Sequence, residues 1–152
     1  MNFQKNSSEY IEKLINENQI EQAMEILDHV ADNKSLWFQN AHAVCLMRLN
    51  RPKEAVKILT PIVYHGGSVI ADTEVPDKIK LNLVEAMLLA GNVSGSVSLM
   101  EDIKGESQHR KKLVYAFKKW KKSLSCWSRL AISLGSLPYD KPVALETPFG
   151  EP

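Results

Sequence analysis

Apolar residues recur every three or four positions along most of the chain, which is the spacing that places them on one face of a helix. This pattern predicts helices at about 7–18, 20–31, 35–49, 52–64, 76–90 and 93–103, and a long seventh helix at about 107–134. Val, Ile and Thr do not cluster into alternating runs, so the pattern argues against extended strands. We therefore expect an all-α fold.

Three short turns divide the first six helices into similar pairs. Each turn is preceded by an apolar residue four positions earlier, and followed by a small residue five positions later and a large apolar residue four positions beyond that. The turns are Asn18, Asn50 and Gly91; the earlier apolar residues are Leu14, Leu46 and Met87; the small residues are Ala23, Ala55 and Ser96; the large residues are Leu27, Leu59 and Met100. Spacings of 32 and 41 residues separate the turns, and the longer one contains a turn-rich loop at 65–76. Because a small residue lets two helices cross closely and one hairpin cannot bury its own apolar faces, we expect the hairpins to stack.

This repeat resembles the tetratricopeptide family over residues 7–103. The resemblance implies three stacked antiparallel helix hairpins, at about 7–32, 34–64 and 76–104, within a single domain at 1–135 that continues into an extended tail at 136–152. It also implies a protein–protein interaction scaffold that is not an enzyme, in which the first helix of each hairpin lines a concave groove for a peptide or protein segment.

The family's register assigns residues of this chain to the groove. In the first hairpin these are Ser8, Glu12, Ile15 and Asn16; in the second and third they are Trp37, Asn40, Val44, Met47, Arg48, Lys78, Leu81, Glu85 and Leu88. Many of these residues are apolar. Either the groove binds an apolar ligand, or the C-terminal segment of the same chain covers it.

The seventh predicted helix, at about 107–135, combines an apolar stripe with a basic surface. The stripe consists of Leu113, Phe117, Trp120, Leu124, Trp127, Ala131 and Leu134, and the basic patch of Arg110, Lys111, Lys112, Lys118, Lys119, Lys121 and Lys122. Three interpretations compete: a helix that caps the repeats by packing on the sixth helix, a helix that binds an anionic membrane surface, or a nucleic-acid site. The sequence pI of about 7.8 and the lack of a recognised motif argue against nucleic acid.

Charge and tail composition bear on how the C-terminal part is held. Residues 1–106 carry 15 acidic and 10 basic side chains, whereas residues 107–152 carry 3 and 9, so the two parts are expected to attract each other. The tail holds four of the seven prolines, between large apolar residues. We expect residues 137–149 to dock as an extended segment, either in the chain's own groove or in a neighbour's. A dimer would then form through the tail or the C-terminal helix.

Candidate catalytic and metal-binding residues are few. Cys45 and Cys126 lie in apolar helical patterns without metal-ligand spacing, and both are expected to behave as buried hydrophobes. His29 and His42 lie in predicted helices, with no metal ligand at helical spacing apart from Asp28 and Asp32 near His29. His65 precedes two glycines, as in an oxyanion-type loop, but has no partner acid near in sequence, and no phosphate-binding glycine motif occurs. We therefore expect no enzymatic activity, no metal and no cofactor. The N-terminal residues lack a signal-peptide core, so a cytoplasmic location is expected.

Overall fold

The computed structural model describes residues 2–29, 35–126, 128, 129, 143, 145 and 150–152, and the described part of the chain is all-helical, without strands. Its helices are α1 (Asn2–Asn16), α2 (Ile20–His29), α3 (Leu36–Arg48), α4 (Pro52–Val63), α5 (Asp77–Ala90), α6 (Val93–Asp102) and α7 (Gln108–Ser123). A short 3₁₀ turn at His65–Gly67 follows α4. None of the described helices combines the length and the apolar composition that crossing a membrane requires.

The three predicted turns are confirmed, and they share one backbone conformation. Asn18, Asn50 and Gly91 have φ values of 60°, 59° and 89°, the left-handed conformation that commonly ends a helix. In each turn, the left-handed residue and the next residue donate their N–H groups to two carbonyls of the preceding helix end. For the second turn these bonds are Asn50 N to Met47 O at 3.1 Å and Arg51 N to Leu46 O at 2.8 Å. The same bonded turn therefore ends α1, α3 and α5.

The helices pack mainly on their neighbours in sequence, from α1 to α6, and α3 also contacts both α1 and α5. The small residues predicted at helix crossings, Ala23, Ala55 and Ser96, are all fully buried. The helix α5 has neighbours on most sides, since it contacts α3, α4, α6 and α7. Consequently it buries residues around its whole circumference, including the polar residues Lys80, Asn82 and Glu85.

Helix ends differ from the sequence prediction at both termini. The first helix begins at Asn2, so Ser7 and Ser8, which the sequence placed at the helix start, lie inside it. The seventh helix ends at Ser123, well short of the predicted end at 134–135, and Leu124 is extended. The Ser125 hydroxyl accepts a hydrogen bond from Ser128 N at 3.3 Å, so a serine that caps a new turn competes with continuation of the helix.

The packing of α7 also differs from the prediction. Its main partner is α5, and an open cavity lies between α7 and the expected partner, α6. Of the predicted apolar stripe, Leu113 is fully buried and Phe117 and Trp120 are partly buried, with stacked rings whose centroids are 5.6 Å apart. The side chain of Trp127 and the residues Ala131 and Leu134 lie outside the described structure.

Candidate functional site

Two asparagines form the polar centre of a groove between α3 and α5. Asn40 on α3 is 1% exposed, and Asn82 on α5 is fully buried. The Asn82 amide donates a hydrogen bond of 2.8 Å to the side-chain oxygen of Asn40. Because a buried amide without partners costs free energy, the remaining donors and acceptors of this pair require partners within the groove.

Those partners come from residues 150–152 of the same chain, here called the 150–152 segment. The main-chain oxygen of Glu151 accepts hydrogen bonds from Asn40 Nδ2 at 2.9 Å and from Asn82 Nδ2 at 2.7 Å. In return, the main-chain N–H of Glu151 donates to Asn82 Oδ1 at 3.1 Å. Both main-chain polar groups of this residue are therefore bonded to the groove, while its side chain is exposed.

Two basic side chains hold the residues on either side of Glu151. The guanidinium of Arg48 lies 3.4 Å from the main-chain oxygen of Gly150 and also donates to the main-chain oxygen of Ile15 at 2.5 Å. The ammonium group of Lys78 donates to the main-chain oxygen of Pro152. Four side chains from α3 and α5 thus bind three consecutive main-chain carbonyls.

Val143 and Leu145 also pack against the helices. Val143 is fully buried and donates its main-chain N–H to the carbonyl of Leu88 at 2.9 Å. Leu88 lies in the last turn of α5, and its carbonyl also accepts the N–H of Gly91 at 3.2 Å, so it holds both the turn and Val143. Leu145 is partly buried against the core. The other residues of the predicted docking segment, including Leu137, Tyr139 and Phe149, lie outside the described part of the chain.

The structure distributes the predicted groove residues unevenly. Asn40, Arg48 and Lys78 bond to the 150–152 segment, and the side chains of Val44 and Met47 lie beside Gly150. Leu81 lines a cavity of about 140 Å³ next to Glu151. Trp37 is half-buried and packs edge-on against Phe38, with ring centroids 5.1 Å apart. On α1, Ile15 is buried, whereas Glu12 and Asn16 are exposed.

Glu85 occupies an internal position and contacts α7. Its carboxylate is fully buried and lies 2.8 Å from His109 Nε2, whose side chain is 2% exposed. The pair joins α5 to α7 beneath the surface. Glu85 therefore links α5 to α7, whereas the family register predicted that it would contact a ligand.

The register missed Asn82, the residue with the most hydrogen bonds to the 150–152 segment. Asn82 follows Leu81 directly, and the family register assigned Leu81 to the groove instead of Asn82. The sequence did offer one sign of its role, the polarity of its side chain. An asparagine in a largely apolar stretch such as LNLVEAMLLA is either exposed or buried with a hydrogen-bond partner. The predicted docking span, 137–149, also stopped just before the residues that occupy the groove.

The predicted basic patch lies on α7, away from the asparagine pair. Lys111, Lys112, Lys118, Lys119 and Lys122 are exposed, and Arg110 and Lys121 are half-buried. Arg110, Lys118 and Lys121 border the cavity between α6 and α7, which has a volume of about 320 Å³ and a mostly apolar lining that includes Val97, Met100 and Phe117. This surface could therefore bind anions or an amphipathic molecule by charge and apolar contact.

The histidine and cysteine candidates show no catalytic arrangement among the described residues. His29 Nδ1 lies 2.6 Å from the carbonyl of Glu25, and His42 lies 3.7 Å from Asp28. His65 does have an acidic partner, Asp72 at 2.9 Å, which the sequence prediction missed because the loop brings the two together. No group of three potential metal ligands occurs in the described residues.

The two cysteines differ in exposure. Cys45 is buried, and burial raises the pKa of its thiol to about 12, so it remains a protonated core residue. Cys126 is exposed, which corrects the expectation that both thiols are buried. It lies beyond the end of α7, where the predicted helix is interrupted.

Comparison with known proteins adds no relative to this description. No family model, no curated protein and no solved structure matches the chain.

Proposed function

We propose that this protein is a non-enzymatic interaction scaffold that binds an extended peptide segment of a protein partner in the groove between α3 and α5. The observation that carries the proposal is the pair of buried asparagines bonded to both main-chain groups of Glu151. Recognition of the main chain is how grooves and sheet edges hold extended peptides, while neighbouring pockets choose side chains.

A tetratricopeptide-like stack of hairpins would provide such a groove. Two features support this architecture: the same left-handed turn ends α1, α3 and α5, and α3 contacts both α1 and α5. Small buried residues at the predicted crossings are in keeping with closely stacked hairpins. In this arrangement the first helices of the hairpins form one continuous inner face, and the asparagines lie at its centre.

A peptide-binding test requires a full-length chain whose own segment does not occupy the groove. Gly150→Gln provides this background, because Gly150 is buried and its Cα is surrounded by groove side chains. A fluorescent peptide with the sequence of residues 143–152, VALETPFGEP, is then added and its anisotropy measured. We expect saturable binding.

Asn82→Ala in the same background tests the asparagine contact. It removes two hydrogen bonds to the peptide main chain, at about 0.5–1.5 kcal/mol each, which corresponds to a loss of about fivefold or more in affinity. Gln22→Ala, which removes an exposed amide on α2, is the matched control and should leave affinity unchanged. Equal affinity for the Asn82 and Gln22 variants would contradict the proposal.

A second candidate function is binding to an anionic membrane surface through α7. The exposed lysines of the basic patch and Tyr115, which is 70% exposed, favour it. The buried Leu113 and partly buried Phe117 and Trp120 count against it, because apolar side chains packed on the core cannot insert into lipid.

Co-sedimentation with vesicles of phosphatidylserine and phosphatidylcholine tests this second candidate. Binding at low salt that is lost when Lys118, Lys119, Lys121 and Lys122 become Gln would support it. Lys53→Gln with Lys57→Gln, two exposed lysines on α4, is the control. No sedimentation at either low or moderate salt would exclude the membrane function.

A further inference from the structure

The groove has no room for a side chain at the position of Gly150. A Cβ atom there would lie 2.8 Å from Met47 Cε, 3.1 Å from Asn82 Oδ1 and 3.3 Å from Val44 Cγ2. Distances below about 3.4 Å are closer than normal contact between such atoms. The crowding comes from two helices, since Val44 and Met47 lie on α3 and Asn82 lies on α5.

The side chains around Gly150 are also poorly able to move. Met47 is 1% exposed, and Val44 and Asn82 are fully buried. Asn82 is further held by its hydrogen bonds to Asn40 and to Glu151. Because closely packed interiors resist even one added methyl group, a side chain at this position requires Met47 and its neighbours to shift, and the groove favours glycine here.

The next two positions have different surroundings. Glu151 is exposed, so its side chain does not have to fit into the groove. Pro152 is buried. Enclosure of the first and third positions but not the second is the alternation that an extended segment produces. Proline fits the third position because it has no N–H group to satisfy and loses little entropy when an extended segment is ordered.

We propose that the groove is selective for a Gly-x-Pro segment in a protein partner, and that the chain's own Gly150–Pro152 is a resident competitor which the partner displaces. This inference rests on the proposed peptide-binding function and adds the sequence that the groove selects. An intramolecular segment competes at the effective concentration set by its tether, typically in the millimolar range for a short flexible connection. A partner can compete with the chain's own segment only if it also places a glycine at the position of Gly150.

The experiment compares four fluorescent peptides on the full-length Gly150→Gln chain. They are VALETPFGEP and the same sequence with Ala replacing the Gly, the second Glu or the final Pro. We expect the Gly→Ala peptide to bind at least about tenfold more weakly, which corresponds to about 1.4 kcal/mol. The Glu→Ala peptide should bind like the parent, because Glu151 is exposed, and the Pro→Ala peptide should lie between these limits.

Enlarging the glycine position should remove the preference for glycine. Met47→Ala in the Gly150→Gln chain removes the closest atom, so the affinity ratio of the Gly and Ala peptides should fall towards one. The unaltered chain, whose own segment competes, should bind the parent peptide at least about tenfold more weakly than the Gly150→Gln chain.

The outcomes separate this inference from the function on which it rests. Equal affinity for the Gly and Ala peptides would overturn the glycine selectivity and leave peptide binding intact. Equal affinity of the unaltered and Gly150→Gln chains for the parent peptide would overturn the resident competitor. Failure of every peptide to bind either chain would overturn the proposed function itself.

Discussion

The groove between α3 and α5 and the outer surface of α7 both carry polar residues, but they use them in opposite ways. In the groove, Asn40 and Asn82 are buried and bonded to defined atoms. On α7 the lysines are mostly exposed. His109 and Leu113 are the only residues of this helix that the structure describes as buried. A buried polar group is costly without its partner and therefore discriminates between ligands, whereas an exposed charge attracts many anions with little discrimination.

Two histidine–carboxylate pairs, one buried and one exposed, allow the same comparison between the interior and the surface. His109–Glu85 and His65–Asp72 have nearly equal separations of 2.8 and 2.9 Å, yet the first pair is buried and the second has side chains 69% and 28% exposed. We expect His109→Leu to lower the free energy of unfolding by about 3–5 kcal/mol, because it removes the His109 contact from a fully buried carboxylate.

His65→Leu is the matched control, and we expect it to cost less than about 1 kcal/mol. Urea denaturation followed by circular dichroism measures both variants. Replacing both members of the buried pair, with Glu85→Leu and His109→Leu together, should recover part of the loss because no uncompensated polar group remains. Similar costs for the two single variants would mean that burial does not decide the strength of these contacts.

Packing at a helix crossing offers the next largest contrast. Ala55 on α4 is fully buried, so Ala55→Leu should overpack the crossing and lower stability by about 1–3 kcal/mol. Ala116 is half-buried on α7, and Ala116→Leu should change stability by less than about 0.5 kcal/mol. Thermal melting of both variants checks the difference, and an unchanged melting temperature for Ala55→Leu would show that the assigned helix register is wrong.

The basic patch should contribute little to folding or to peptide binding. With Lys118, Lys119, Lys121 and Lys122 replaced by Gln in the Gly150→Gln background, we expect stability within about 1 kcal/mol and unchanged affinity for the 143–152 peptide. Denaturation and anisotropy measure the two quantities. A large loss of peptide affinity would extend the binding site to α7 and remove the contrast between the two surfaces.

Thiol labelling distinguishes interior from surface without changing the protein. At pH 8 the thiolate of Cys45 is almost absent because burial raises the pKa of its thiol to about 12, while Cys126 is exposed. A disulfide reagent should therefore modify one thiol per folded chain and two after unfolding in urea. Rapid reaction of both thiols in the native state would show that the α3 region opens readily.

Local features of the fold could be predicted because they depend on neighbouring residues. Asn18, Asn50 and Gly91 tolerate the left-handed conformation, and the three-to-four spacing of apolar residues marks the helices they separate. The end of α7 could not be predicted in this way, since the apolar stripe continues through Leu124 while the competing bond of Ser125 interrupts the helix. The periodicity shows which side chains are apolar. It does not show whether a serine cap or continuation of the helix is the more stable alternative.

The candidate site was predicted less completely, because it depends on contacts between distant parts of the chain. Asn40 and Lys78 followed from the resemblance, but Asn82 lies 69 positions from its partner Glu151, and nothing in the local pattern pairs them. Glu85 was placed in the groove because its helical position fits the register, although its partner His109 comes from α7. Both differences arise from tertiary contacts that helix spacing does not encode.

The loop between α4 and α5 bears on how this protein could be engineered. Its ends meet, because Asp72 donates its main-chain N–H to the carbonyl of Val63 at 2.8 Å, and its tip is exposed, with Val69 at 92%. A loop whose ends are fixed loses only about 0.6 kcal/mol for each doubling of its length. A fluorescent reporter domain spliced between Val69 and Ile70 would therefore leave α4 and α5 intact and give a tagged form of the protein.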